Sequence, residues 1–181
     1  MTAKKNFRRD TLTSHLGRDP QKHAGLVNVP VYRGSTVLFD DVATYEGRDP
    51  DEYKVMRYGI YGTPTTFALE AAVAELEGGD KAVALPSGLA AITAALAAFT
   101  KAGDHILMVD TTYGPTRTFC KRRLAPYGVE VEYYDPLIGA GIAKLIRPNT
   151  TLVYCEAPGS LSFEMQDIPR SEEHTSELQS H

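Results

Sequence analysis

The feature of this sequence that most constrains its fold is a regular alternation of short apolar runs with segments of helical character. The runs of strand length are residues 81–85 (KAVAL), 105–110 (HILMVD), 129–135 (VEVEYYD) and 151–158 (TLVYCEAP). Helical segments are predicted between them, at residues 88–99, 116–125 and 142–146. Strands that alternate with helices form βαβ units. The sequence therefore predicts an α/β fold, with a mostly parallel sheet and helices on both of its faces.

A longer helix is predicted upstream of the first run. Thr63 is a suitable N-cap, Pro64 suits the first helical position, and Gly78 ends the pattern. The apolar residues that recur between them at helical spacing are Phe67, Leu69, Val73 and Leu76. Residues 1–57 show little periodicity and contain turn-like pieces such as GRDPQKHAG. We therefore expect them to form an extended arm rather than a domain.

Charge and cysteine content narrow the class of partner. A net charge of −4 leaves no basic field that would hold nucleic acid or an anionic membrane surface. No apolar segment follows the basic start MTAKKNFRRD, so we expect a cytoplasmic protein. Cys120 and Cys155 lie in no metal-ligand spacing, and we expect two buried thiols and no metal site. A small-molecule partner is the remaining expectation.

The turn Pro86-Ser87-Gly88 interrupts an apolar stretch, and two interpretations fit it. Proline and glycine punctuate strand-to-helix turns in any α/β protein. The same turn also presents bare backbone N–H groups at a helix N-terminus, where a phosphate can bind. Parallel sheets bind ligands beyond the carboxyl ends of their strands. The loop that holds Tyr113 and the segment 156–159 (EAPG) are predicted to meet the turn at that edge.

Four segments together resemble a known family. They are YGIYGTPTTFALE, LEGGDKAVALPSGLAAI, GDHILMVDTTYGPT and DPLIGAGIAKLIRPNTTLVYCEAPGS. They resemble the pyridoxal-phosphate enzymes of cysteine and methionine metabolism, over about residues 10–169. The resemblance implies a fold type I enzyme, with residues 1–57 as an amino-terminal arm and residues 58–169 as an incomplete cofactor domain. It also implies pyridoxal 5'-phosphate as the cofactor.

The resemblance assigns several residues to that cofactor. By analogy, the backbone N–H groups of Ser87, Gly88 and Leu89 bind the phosphate, which the positive end of the following helix also favours. Tyr113 matches the family's aromatic residue that stacks on the pyridine ring, with its hydroxyl near the reacting amine. Glu156 belongs to the EAPGS segment, which organises the loop around the cofactor. Without the flanking motifs, Tyr113 is better interpreted as a surface tyrosine in a turn, and the alternative for Glu156 is a residue of an ordinary turn.

Tyr58 matches a tyrosine that, in this family, reaches the phosphate of the neighbouring subunit's cofactor. This implies an active site shared between two chains, in a homotetramer built from dimers. The alternative is a packing residue beside a turn. The family commonly carries an arginine two positions later, where this chain has Ile60. Either Arg57 compensates, or a different residue binds the phosphate.

The activity implied is that of a carbon–sulfur lyase of methionine biosynthesis, which cleaves cystathionine by β-elimination to homocysteine, pyruvate and ammonia. The alternatives are γ-lyase, γ-synthase or methionine γ-lyase chemistry, or a non-catalytic fragment. In this family the Schiff-base lysine lies downstream of the EAPGS segment, and the matching pattern ends at Pro169 before reaching it. Residues 170–181 (RSEEHTSELQSH) match the translation of a sequencing-adapter read. We therefore expect a non-native tail and a chain that is inactive alone.

Overall fold

The computed structural model describes residues 8–47 and 55–169 of the chain. Its contacts form two compact units, Met1–Ala84 and Leu85–His181. The boundary expected after residue 57 belongs to the domain plan of the family and stays a prediction. The tail expected from residue 170 lies outside the described residues and also stays a prediction.

The regular elements described in the first unit are helices, and an isolated β-bridge joins Thr36 to Tyr58. Its elements are α1 (Arg9–His15), a 3-10 helix (Pro20–His23), α2 (Val42–Glu46) and α3 (Pro64–Glu77). The predicted long helix is confirmed: Thr63 is its extended N-cap residue, and Gly78 ends it with a φ of +69°. Glycine suits that left-handed conformation because it has no Cβ. The helices α1 and α2 are too short to produce a helical period in the sequence.

The second unit contains the sheet. Its main elements are α4 (Gly88–Ala98), β1 (His105–Val109), α5 (Gly114–Phe119), β2 (Glu130–Tyr134) and β3 (Thr150–Tyr154). A 3-10 helix at Gly139–Leu145 connects β2 to β3. Strand β1 pairs in parallel with both β2 and β3, so the strand order is β2-β1-β3. The predicted parallel α/β fold is therefore confirmed.

Helices cover both faces of this sheet. All five residues of the central strand β1 are buried. On one face, Ile106 packs with Leu96 of α4 and with Cys120, which follows α5. On the other face, Leu107 packs with Ile142 of the 3-10 helix. A strand buried on two faces is apolar rather than alternating, as β1 is from Ile106 to Val109.

The helical segment after β1 changes its geometry along its length. Helix α5 continues as a π-helical turn (Cys120–Leu124) and a 3-10 turn (Ala125–Tyr127), and Gly128 ends it with a φ of +84°.

Of the two cysteines, Cys120 is buried as predicted, whereas Cys155 is only partly buried; both are free thiols. In residues 8–47 and 55–169, no helix has the length and apolarity needed to cross a membrane.

The strand expected at residues 81–85 is a wrong prediction. These residues join no sheet in the described part of the chain, and the Val83 side chain is 58% exposed. The physical reason is that a strand needs a hydrogen-bonding neighbour, which a run of apolar residues cannot supply from its own sequence. Instead, the Ala84 N–H donates to Glu70 Oε1 of α3 at 2.8 Å.

Candidate functional site

The carboxyl ends of β1 and β3 bring two loops together. The strands are parallel neighbours, with Met108 of β1 opposite Tyr154 of β3. The loop after β1 leads to Tyr113 and α5, and the loop after β3 contains Glu156. We name this edge of the second unit the carboxyl edge. It is the position at which parallel sheets bind ligands.

The side chain of Glu156 joins the two loops. Its Oε2 atom accepts hydrogen bonds from Thr112 Oγ1 at 3.1 Å and from the Tyr113 backbone N–H at 3.1 Å. The Tyr154 hydroxyl donates to the same oxygen at 3.3 Å. Hydrogen bonds to a charged group are stronger than those between neutral groups. Glu156 therefore fixes the chain on both sides of Thr112, at the start of α5.

Backbone contacts hold the same two loops together. The Ser160 N–H donates to the Thr111 carbonyl at 2.7 Å. A Cβ placed on Gly159 would lie 2.6 Å from Thr111 Oγ1 and 2.7 Å from Thr111 Cβ. Such distances are far inside van der Waals contact, so the close approach of the loops requires glycine at this position.

Tyr113 combines a fixed backbone with an accessible side chain. It precedes Gly114, the first residue of α5, and its N–H is bound by Glu156. Its side chain is 46% exposed. An exposed aromatic ring on a fixed backbone can stack on a planar ligand with little loss of conformational entropy. This arrangement fits the stacking role that the family resemblance implies.

The predicted turn at residues 86–88 is a helix start with free donors. Ser87 is the N-cap of α4, and its Oγ accepts the Ala90 N–H at 3.1 Å. The first intrahelical bond runs from the Ala91 N–H to the Ser87 carbonyl at 3.0 Å. The N–H groups of Gly88 and Leu89 precede that bond, where a helix has no internal acceptor.

There is open space beside Gly88, the first residue of α4. A Cβ placed on Gly88 would meet no heavy atom within 4 Å. Bare N–H groups, the positive end of an eleven-residue helix and room beside the backbone are what an anionic phosphate requires. With Tyr113 as a stacking residue, the second unit fits the phosphate and the ring of pyridoxal phosphate.

Tyr58 lies in the first unit. It forms an isolated antiparallel bridge with Thr36, and its ring stands edge-on to Tyr61 at 6.1 Å between centroids. The side chain of Ile60 is 78% exposed and carries no polar group for a phosphate. The assignment of Tyr58 to a neighbouring subunit's cofactor stays a prediction.

Two residues of the carboxyl edge are absent from the sequence-based assignment. Thr112 is buried and Tyr154 is partly buried, and both hydroxyls donate to Glu156. Tyr154 stands two residues before Glu156, and side chains at that spacing in a strand point to the same face. This period is the one sequence signal that indicates the contact. Nothing local indicates Thr112, because its partner is 44 residues away.

Two phenols near this edge, those of Tyr134 and Tyr154, have raised pKa values. Burial raises the pKa of Tyr154, and the negative charge of Glu156 raises it further. Burial likewise raises the pKa of Tyr134, whose hydroxyl donates to the Tyr154 carbonyl at 3.0 Å. The Gln166 amide donates to the Tyr134 hydroxyl at 2.6 Å. The donors that bind the Glu156 carboxylate are therefore two hydroxyls and a backbone N–H.

His105 lies at the opposite, amino-terminal edge of the sheet and is fully buried. Its Nδ1 is 2.8 Å from Thr150 Oγ1, and its Nε2 is 3.3 Å from Glu132 Oε2. Arg147 pairs with Glu132 and, at 2.7 Å, with Glu130. These contacts connect β1, β2 and β3 at the edge away from Tyr113, which agrees with the structural role expected for His105.

Comparisons with known proteins identify the family of this chain. Residues 10–179 match the sequence pattern of the Cys/Met metabolism PLP-dependent enzyme family. A Rhizobium johnstonii protein provisionally named cystathionine beta-lyase is 52% identical over 160 residues, covering 88% of this chain and 39% of that protein. Cystathionine beta-lyase MetC of Escherichia coli is 40% identical over 161 residues, covering 88% of this chain and 41% of that enzyme.

The fold comparison gives the same result. The crystal structure of metB from Corynebacterium glutamicum superimposes with a TM-score of 0.80 at 27% identity, covering 95% of this chain and 43% of that one. This chain thus spans about two fifths of the length of these relatives. The family match runs through residues 170–179, within the segment that sequence analysis assigns to a tail. With nearly the whole chain matched, this protein belongs to the Cys/Met metabolism PLP-dependent enzymes.

Proposed function

We propose that this chain is the amino-terminal part of a carbon–sulfur lyase that cleaves cystathionine to homocysteine, pyruvate and ammonia. One observation carries the proposal: Glu156 fixes the backbone of Tyr113 at the carboxyl edge while the tyrosine ring stays exposed. The 40% identity to Escherichia coli cystathionine beta-lyase MetC supports this substrate class. The activity belongs to the complete protein, because this chain spans only about two fifths of the length of its relatives.

Each candidate residue has a definite task in this proposal. The N–H groups of Gly88 and Leu89 bind the cofactor phosphate, and Ser87 holds the helix start that presents them. The Tyr113 ring lies against the cofactor ring, and its hydroxyl hydrogen-bonds the reacting amine. Bound pyridoxal phosphate supplies an electron-accepting ring that stabilises negative charge at the substrate Cα. The protein's part is to keep the ring and the amine in one orientation.

The proposal extends to assembly and location. Tyr58 reaches the phosphate of a neighbouring subunit's cofactor, so the working enzyme is a cytoplasmic homotetramer built from dimers. With Ile60 two residues further on, the tyrosine hydroxyl acts there without an adjacent arginine. A mixture of two inactive variants, Tyr58→Phe and Tyr113→Ala, then regains activity, because hybrid dimers contain one site with both tyrosines intact.

The proposed reaction is tested on the complete protein purified with pyridoxal phosphate. We expect pyruvate and homocysteine to appear in equal amounts from cystathionine, and the cofactor absorbance to depend on Gly88. Absence of pyruvate from a protein that carries bound cofactor would contradict the lyase assignment. Absence of bound cofactor would contradict the site itself.

A second candidate is a γ-elimination enzyme. L-methionine gamma-lyase of Pseudomonas putida is 33% identical to this chain over 162 residues and covers 87% of it. Elimination at Cγ of methionine or cystathionine yields 2-oxobutyrate, whereas elimination at Cβ of cystathionine yields pyruvate. The keto acid formed in the same assay therefore distinguishes the two candidates.

A further inference from the structure

We propose that Tyr154 is a positioning residue of the candidate site: with Thr112, its hydroxyl holds the Glu156 carboxylate in the orientation that binds the Tyr113 N–H. This inference rests on the proposed function, because Tyr113 is the group that would contact the cofactor. It also revises the role of Glu156, which acts on the cofactor through Tyr113.

The first argument is the occupancy of one oxygen atom. Glu156 Oε2 receives three donors, from Thr112 Oγ1, the Tyr113 N–H and the Tyr154 hydroxyl, at 3.1, 3.1 and 3.3 Å. A carboxylate oxygen has two lone pairs. Three donors from the protein therefore saturate Oε2 and leave it no capacity for a ligand, so its task is internal.

The second argument is the rigidity of Tyr154. The residue packs against two apolar clusters, one containing Ile106 and the other containing Leu107. Its carbonyl accepts the Tyr134 hydroxyl at 3.0 Å. Side chain and backbone are thus both held, and the hydroxyl stays in one place relative to β3.

The third argument is that the two hydroxyls come from different elements. Tyr154 ends β3, whereas Thr112 belongs to the loop after β1. A carboxylate bound from both sides cannot rotate about its terminal torsion without losing one of the two bonds. Since Tyr113 follows Thr112 directly, its backbone position relative to β3 depends on this pair of contacts.

Tyr154→Phe in the complete protein removes one hydroxyl and keeps the ring that packs in the core. We expect the dissociation constant for pyridoxal phosphate to rise about fivefold, the factor that corresponds to one hydrogen bond of about 1 kcal/mol. Tyr127→Phe is the matched control, because it deletes the same atom from a side chain that is 75% exposed. We expect no change in the control.

A double-mutant cycle tests whether the effect passes through Tyr113. If Tyr154 acts by positioning Tyr113, Tyr154→Phe weakens cofactor binding in the wild-type background and has no effect in the Tyr113→Ala background. A merely structural role would weaken binding equally in both. Equal losses in the two backgrounds would overturn the inference.

Hydrogen exchange of the cofactor-free complete protein tests the inference independently of the reaction. We expect the Tyr113 amide to exchange several-fold faster in Tyr154→Phe and at the wild-type rate in Tyr127→Phe. An unchanged Tyr113 amide in Tyr154→Phe would overturn the inference even if the protein is a lyase. Faster exchange in a protein that cleaves no cystathionine would support the positioning role and contradict the proposed function alone.

Discussion

In the proposed site, the residues that would contact the cofactor use two kinds of group. Tyr113 offers an exposed ring, whereas Gly88 and Leu89 offer backbone N–H groups at the start of α4. A side-chain contact can be deleted by substitution, but a backbone contact can only be blocked. Variants at Tyr113 and Gly88 therefore test different kinds of interaction.

Tyr113→Ala in the complete protein is expected to lower cofactor affinity and kcat together, by tenfold or more, because both the stacking face and the hydroxyl are lost. Tyr113→Phe keeps the face and is expected to retain most of the cofactor affinity. Absorbance titration with pyridoxal phosphate and initial rates measure the two effects. Unchanged activity in both variants would remove Tyr113 from the site.

Gly88→Val is expected to release the cofactor without unfolding the protein. A Cβ at this position meets no protein heavy atom within 4 Å, but the added side chain blocks a phosphate from the helix start. Ser87→Ala is the reciprocal variant: it removes the N-cap acceptor for the Ala90 N–H and costs about 1 kcal/mol of stability.

Cofactor occupancy and thermal unfolding, measured on both variants, should separate these effects. The expected pattern is low occupancy with a normal melting temperature for Gly88→Val, and the reverse for Ser87→Ala. If Gly88→Val binds cofactor as the wild type does, the phosphate lies elsewhere.

At the scale of secondary-structure elements, three kinds of contact hold the loops after β1 and β3 together. Glu156 binds side chains and backbone, the Ser160 N–H binds the Thr111 carbonyl, and Gly159 allows the chains to touch. In the apolar clusters of the sheet, burial raises the pKa of the Cys120 thiol and of the Tyr134 phenol. Both features lead to measurable consequences for stability.

Gly159→Ala is expected to destabilise the complete protein by about 1–3 kcal/mol, the usual cost of overpacking. The new methyl group would lie 2.6 Å from Thr111 Oγ1, so one loop must move. Gly114→Ala is the matched control, because a Cβ at that position meets no heavy atom within 4 Å. Gly139 also has open space, but its φ of +51° would add strain to an alanine. Urea unfolding of Gly159→Ala and Gly114→Ala should show the loss only in the former.

The buried thiol of Cys120 is expected to lower the stability of the protein at alkaline pH. Burial raises the pKa of its thiol from about 9 to about 11. Below pH 9 the thiol is protonated in both the folded and the unfolded state, and its contribution to stability is fully present. As the pH rises toward 11, the thiol ionises more readily in the unfolded state, so this contribution is lost. The wild type should therefore lose about 1–3 kcal/mol relative to Cys120→Ala between pH 9 and pH 11.

Urea unfolding at several pH values measures this difference. Each comparison is made at one pH, so the titration of all other groups cancels between wild type and Cys120→Ala. A difference that stays constant from pH 8 to pH 11 would contradict the buried-thiol interpretation.

At the scale of the whole molecule, the placement of the lysines decides whether this chain can bind pyridoxal phosphate covalently. Its lysines are Lys4, Lys5, Lys22, Lys54, Lys81, Lys101, Lys121 and Lys144. Those in the described ranges are all exposed, and none of them directly follows a strand at the carboxyl edge. Lys101, for example, pairs with Asp104 at 2.8 Å, at the opposite end of β1.

The chain as given is therefore expected to catalyse nothing. Residues 1–169 would be incubated with pyridoxal phosphate, reduced with borohydride and mapped for lysine adducts, and pyruvate release from cystathionine would be measured. We expect scattered adducts on surface lysines and no pyruvate. One defined adduct together with turnover would contradict the expectation that the covalent lysine lies downstream.

The sequence by itself determined the features that depend on neighbouring residues. The cap residues Thr63 and Gly78 set the ends of α3, and the apolar runs identified all three strands of the parallel sheet. The motif around Tyr113 identified the edge at which the candidate site lies. Each of these signals is short-range, because helix caps, turns and strand composition act over a few residues.

Only the tertiary structure decided which distant groups meet. The register of β1 against β3 brings Thr112 and Tyr154 to Glu156, across 44 residues in the case of Thr112. The same dependence on neighbouring strands explains why residues 81–85, with the composition of a strand, join no sheet in the described part of the chain. Pairing and polar contacts depend on what lies alongside a segment, and a segment's own residues do not contain that information.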